Sequence, residues 1–202
     1  MGCSRLAAHQ KKVQRQRATL LFVDESGFSQ KPTVLRTWAP RGQTPILRYC
    51  FNWKRLSAIS GITPEGYLYL LLRDGTIKSE QVIEFLRYLL RARKGKLLIV
   101  WDGAPIHRSN VVKAFLRKHR RRLTVESLPS YAPELNPDEH VWAYLKYVGL
   151  ANFCPRYLSD LRNEIRRHVR RLKKRPDLIR GFYNAAGLPL RRRMSSELCG
   201  EQ

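Results

Sequence analysis

Carboxylates stand at three places where this chain changes character. Asp24 and Glu25 end the apolar run TLLFV, Asp102 ends KLLIVW just before Gly103, and Asp138 and Glu139 follow Asn136-Pro137 at the start of a helical pattern. Acidic groups gathered at one point repel each other, and part of the group then stays protonated. Divalent cations remove that conflict. Mg²⁺ takes hard oxygen ligands, commonly one or two carboxylates plus substrate phosphate. Two such ions about 3.5–4 Å apart activate an attacking oxygen and stabilise a leaving one in phosphoryl transfer. The chemistry within reach of these residues is therefore metal-assisted cleavage of a phosphodiester.

Each site also has an ordinary explanation when taken alone. Asn136 suits an N-cap, with Pro137 at the first helical position and Glu139 reaching back as a capping box. Asp102 before Gly103 suits a turn. An Asp-Glu pair at a strand end is commonly just solvated. Only convergence of the three sites makes a metal centre, so the elements that carry them decide the matter.

Charge favours the catalytic reading. The 202 residues include 39 Lys+Arg against 16 Asp+Glu, a net charge of +23. A field of that sign attracts a polyanion, nucleic acid first of all, and is out of place in an enzyme for small neutral substrates. An acidic pocket inside such a chain is what a nuclease requires. No apolar run of about 18 residues is present, so no membrane span is expected. The N-terminus lacks the apolar core of a signal peptide. Cys3, Cys50, Cys154 and Cys199 lack zinc-site or disulfide spacing, consistent with a reducing cytoplasm.

Four stretches beside TLLFVDESGF read as strands: KRLSAISGIT, GYLYLLLRDG, KLLIVWDGAP and RLTVESLP. RTWAPRGQTPILRYCFNWK reads as loop and strand broken by Pro40, Gly42 and Pro45. Helical spacing marks SEQVIEFLRYLLRAR, with Ser79 as its N-cap, then SNVVKAFLRKHRRR and YLSDLRNEIRRHVRRLKK. In the last of these, Leu158, Leu161, Ile165, Val169 and Leu172 form one apolar stripe. The order predicts an α/β layer architecture, a mixed β-sheet flanked by helices. Strand ends are where ligands gather in such folds. The expected organisation is a basic linker or arm over 1–18, a catalytic domain over 19–175, and a basic C-terminal tail over 176–202 that packs on or trails the domain.

VDESGF, WDGAPIHRS and LPSYAPELNPDEHVWAYLK, in this order, resemble the three catalytic motifs of DDE transposases of the mariner-like superfamily, and among them its bacterial insertion-sequence branch. Glu139 lies 37 positions after Asp102, close to the short spacing typical of that superfamily. The resemblance implies an RNase H-like fold. It also implies Asp24, Asp102 and Glu139 as catalytic metal ligands for two Mg²⁺ or Mn²⁺ ions. Motif position favours Asp24 over Glu25 and Glu139 over Asp138. Glu25, His107, Asp138 and Trp142 then become supporting neighbours, with His107 touching a metal ligand from behind or a phosphate, and Trp142 in core packing. Arg108, Lys146 and the run Arg166, Arg167, Arg170 and Arg171 are the candidate DNA contacts. The implied reaction is hydrolysis at an element end followed by strand transfer, with TA target sites, on double-stranded DNA. The implied assembly is a homodimer, in the cytoplasm and on the nucleoid. Family members usually carry helix-turn-helix modules ahead of the catalytic domain. Here the first motif begins near residue 19, so the chain resembles an isolated catalytic half: a separately encoded reading frame with a DNA-recognition half as its partner, a truncated copy, or the domesticated remnant of an element. The alternatives are a basic DNA-binding protein that kept the fold without the activity, or another RNase H-like nuclease.

Overall fold

A computed structural model describes residues 18–49, 54–129 and 133–188. Five strands form one sheet: β1 (Thr19–Ser29), β2 (Arg55–Ile62), β3 (Leu68–Asp74), β4 (Leu97–Trp101) and β5 (Leu123–Ser127). Their order is β3-β2-β1-β4-β5. β1, β2 and β3 run as an antiparallel meander, whereas β4 and β5 lie parallel to β1 and to each other. The helices are α1 (Ser79–Ala92), α2 (Asn110–Lys118), α3 (Asp138–Ala143, continued by a π-helical turn Tyr144–Gly149), α4 (Leu158–Lys173) and α5 (Pro176–Ala185).

Both faces of the sheet are covered, which is why β1 and β4 read as unbroken apolar runs rather than alternating ones. Leu20, Phe22, Leu98 and Val100 pack under Trp142, Leu145, Leu161, Ile165, Leu172 and Tyr183 from α3, α4 and α5. Leu21, Val23, Leu97 and Ile99 pack under Val82, Phe85, Leu86 and Val112 from α1 and α2. The β1–β4 ladder pairs Phe22 with Val100. Asp24 and Asp102 each come two residues later, so the ladder delivers both to the same end of the sheet.

Several local details differ from the sequence reading. Lys78, not Ser79, is the N-cap of α1, and the Gln81 side chain accepts from its backbone N–H at 3.0 Å. Residues 34–49 contain no strand, and Pro40, Gly42 and Pro45 interrupt the segment. Trp38 there is 99% exposed. Residues 176–185 form α5, with Ile179 and Tyr183 buried in the core. Cys154 is a free thiol, and Cys3, Cys50 and Cys199 lie outside the described residues. No helix among the described residues is long and apolar enough to cross a membrane.

The β2–β3 turn fastens α5 to the sheet. Gly66 takes φ +92°, its N–H donates to the Thr63 carbonyl at 2.9 Å, and a Cβ there would lie 2.5 Å from the Pro176 carbonyl oxygen. Left-handed backbone and a backbone clash both oppose any side chain. Gly66→Ala is expected to cost about 2–4 kcal/mol in urea unfolding. Gly75→Ala, with positive φ but open space, should cost only the strain, about 1–2 kcal/mol.

Candidate active site

Asp24 sits at the mouth of the sheet on the α3 side, only 9% exposed. Trp142 of α3 donates from its indole Nε1 to Asp24 Oδ2 at 2.9 Å. The indole is itself held edge-on by Phe28, with ring centroids 6.0 Å apart. Trp142 therefore does two jobs, core packing and orientation of a carboxylate. Burial, with the Glu139 and Glu25 charges adding to it, raises the Asp24 pKa to about 7 against the indole hydrogen bond.

Asp138 and Glu139 part company at the start of α3. Asp138 is fully buried and accepts from Ser60 Oγ at 2.6 Å. Its other oxygen, Oδ2, has no hydrogen-bond partner. Burial first, then the Asp24 charge, pushes its pKa well above the ordinary carboxylate range. Glu139 is exposed. Asn136 Oδ1 accepts from the Asp138 N–H at 3.2 Å, and the Asn136 carbonyl accepts from Glu139 N–H at 3.1 Å. The N-cap is Pro137, one residue later than the sequence suggests, and Asn136 instead supports the first helical N–H from the residue before it. Among the described residues, no hydrogen bond folds the Glu139 carboxylate back into a capping box. It is left free beside Asp24.

Across the strand, His107 ties two more acids together. Its Nε2 meets Glu25 Oε1 at 2.9 Å and its Nδ1 meets Asp102 Oδ1 at 3.0 Å. The ring stacks on Trp101, centroids 4.2 Å apart and 9° from parallel. Burial opposes a charge on this imidazole, but the bonds to Asp102 and Glu25 outweigh it and bring its pKa up to about 10. The hydrogen bond from His107 in turn lowers the pKa of the exposed Asp102, whose Oδ1 also accepts from Ala104 N–H at 2.9 Å. Glu25, Asp102 and His107 are the one set of three such donors among the described residues whose ligand atoms all lie within 4.8 Å of one another. Asp24 and Glu139 stand outside that set. The Glu139 and Glu25 charges nonetheless add to the raised pKa of Asp24, and the Asp24, Glu25 and Glu139 charges add to that of Asp138. Glu25 is the shared member that links the two groups.

The basic candidates are more scattered. Arg108 is exposed beside His107, and Lys146 lies in the π-helical turn with Nζ 5.8 Å from the Phe28 ring centroid. Arg166, Arg167, Arg170 and Arg171 are all exposed on α4. Arg167 is bound to Glu164, which also holds His168. Arg166 and Arg170 line a groove with Leu70, Leu72 and Lys173 along β3, the sheet edge. Sequence reasoning missed Ser60, which lies opposite Asp24 in the β1–β2 register. It also missed Trp101 as the platform for His107.

The DDE superfamily endonuclease profile matches residues 19–162. The Tcb1 transposase of Caenorhabditis briggsae is 28% identical over 153 residues, which is 65% of this chain and 52% of that protein. The mariner Mos1 paired-end complex with Mg superposes with a TM-score of 0.60 at 20% identity, covering 89% of this chain and 59% of the Mos1 chain. The Mos1 catalytic domain alone gives a TM-score of 0.51 at 18% identity, covering 90% of this chain and 88% of that one. The shared fold is the RNase H-like fold, as expected. This chain thus spans about half the length of the curated transposase it matches. These similarities run to eukaryotic transposases and lend no support to a bacterial insertion-sequence branch. With the profile covering the sheet, both acidic strand ends and the start of α4, the chain belongs to the DDE superfamily endonuclease family.

Proposed function

We propose that this chain carries out metal-dependent phosphodiester hydrolysis and strand transfer in DNA transposition, with Asp24, Asp102 and Glu139 as the metal ligands. The supporting observation is the acidic cluster itself. Buried Asp24 and Asp138 stand beside Glu25 and Glu139, one Asp138 oxygen is unpartnered, and all of this sits in a chain of charge +23. Hard oxygen donors that repel one another suit Mg²⁺ or Mn²⁺. Two such ions would supply charge stabilisation of the attacking and leaving oxygens. The Mos1 complexes solved with Mg and with Mn support the same choice of metal.

The chain's own residues do the rest. Trp142 fixes one Asp24 oxygen, and the Glu25 backbone N–H also donates to this carboxylate. His107, rigid on Trp101, holds Asp102 and Glu25 at a fixed spacing. Glu139, exposed and unpaired, is the acid free to meet an incoming strand. A second reading follows from the 4.8 Å cluster: Glu25 replaces Asp24 as the partner of Asp102. Comparing Asp24→Asn with Glu25→Gln decides between them, because the true ligand loses Mn²⁺ binding in calorimetry and the neighbour keeps it.

Double-stranded DNA is the proposed substrate, and the Mos1 complexes with transposon ends support it. A homodimer, a separately encoded recognition half, a nucleoid location and a bacterial insertion-sequence origin rest on the sequence resemblance alone. Arg166 and Arg170, free of carboxylate partners among the described residues, are the stronger phosphate contacts, and Arg167 is the weaker one. Arg166→Ala with Arg170→Ala is expected to weaken binding to all duplexes and to reduce the salt slope by about 2. Arg167→Ala should change it little. Filter binding between about 50 and 200 mM salt reads both.

A further inference from the structure

A small cavity of about 200 Å³ opens one ring away from Trp142, between the end of β1 and the π-helical turn. Phe28, Leu150, Phe153 and Leu161 give it an apolar floor, and Lys31, Lys146, Ser29 and Thr33 stand around it. Phe28 is both a wall of this cavity and the edge-on partner of Trp142, which holds Asp24. The cavity therefore neighbours the acidic cluster.

Three observations mark it as built for a ligand. Lys31 and Lys146 meet no carboxylate among the described residues, whereas Arg162 and Arg167 of the adjacent α4 are both paired. Its two walls are fastened together before anything binds. Asn152 N–H donates to the Thr33 carbonyl at 2.9 Å, Leu35 N–H to Asn152 Oδ1 at 2.9 Å, and Gln30 Nε2 to the Arg156 carbonyl at 3.2 Å. Asn152 holds φ +56°, the one non-glycine residue at positive φ among the described residues. Such strain concentrates at ligand clamps. The volume falls below the roughly 300–1,000 Å³ of sites for whole drug-sized ligands, and suits one unit of a longer chain.

We propose that this cavity is a subsite for a single nucleotide of the DNA strand near the scissile bond, its phosphate between Lys31 and Lys146 and its base or sugar against the partly exposed Phe153. Aromatic faces with flanking cations are how single strands are held without sequence preference. The inference rests on the DNA-cleaving reading above. It adds that the protein grips an unpaired nucleotide beside the cut.

The test is fluorescence anisotropy in EDTA, comparing a labelled blunt duplex with the same duplex carrying a short single-stranded overhang. Wild type is expected to prefer the overhang by about fivefold or more, the effect of one stacked base. Lys31→Ala should reduce that preference to about twofold or less, and so should Thr33→Phe, which fills the cavity while leaving both lysines. Thr33→Phe should leave blunt-duplex affinity within about twofold, and its melting temperature checks the fold. No overhang preference in wild type, or a full preference in a folded Thr33→Phe protein, overturns the subsite. Because no metal is present, absence of cleavage does not touch this result. Cleavage without an overhang preference sinks the subsite alone.

Discussion

Asp102→Asn is expected to lower metal-dependent DNA cleavage by more than about a hundredfold. Residues that merely orient metal ligands cost about 10–100-fold when changed, and loss of a ligand charge should cost more. The fold should survive, because an Asn oxygen can still accept from His107 Nδ1 and from Ala104 N–H. DNA binding in EDTA should be unchanged or slightly tighter, since one negative charge facing phosphate is gone. Single-turnover cleavage at saturating protein, with anisotropy alongside, separates the two effects. Normal cleavage by the Asn variant would remove Asp102 from the mechanism.

Asp24→Asn is expected to make the metal-free protein more stable above neutral pH while abolishing its response to metal. The Asp24 pKa stands near 7 in the folded chain, against 3.8 as its ordinary value. The folded state therefore keeps a proton that the unfolded state gives up, and stability falls as pH rises from about 4 to about 7. The loss at pH 8 is on the order of 4 kcal/mol. Asn keeps the indole hydrogen bond and carries no charge, so that slope should flatten. His107 leaves the window clear only below about pH 6.5, where the Asp24 slope is read; between 6.5 and 8 its own progressive loss adds to the fall. Its pKa is raised from 6.5 to about 10, so its contribution is full below 6.5, declines as pH rises above that, and is gone once pH passes about 10. Asp102, with a lowered pKa, contributes stability above its ordinary pKa of 3.8 and loses it only in more acid solution. Urea unfolding from pH 4 to 8, with and without Mn²⁺, measures all of this. Wild type should gain stability from Mn²⁺ most strongly at pH 8, and Asp24→Asn should gain none.

The sheet was legible because burial on both faces forces unbroken runs such as Leu20–Val23 and Leu97–Trp101. Strand ends then located Asp24 and Asp102. What escaped depends on register and packing, which one sequence does not display. Ser60 matters only because β2 pairs it with Asp24. The Trp142–Asp24 bond joins residues 118 positions apart. Glu25 looked like a solvated neighbour because strand alternation sends it away from Asp24, and that same alternation sends it to His107. α5 was hard to see because only Ile179 and Tyr183 of its length are buried. One miss was readable: Glu164 stands three residues before Arg167 on a helix, the spacing of an ion pair.

The most direct test of the central claim is cleavage of supercoiled plasmid by the wild-type chain with Mg²⁺, with Mn²⁺ and with EDTA. Nicked or linear product should form with either ion, stop on chelation, and be lost in Asp102→Asn. Equal cleavage in EDTA would contradict the account, as would an intact plasmid after incubation with protein shown to bind both DNA and Mn²⁺.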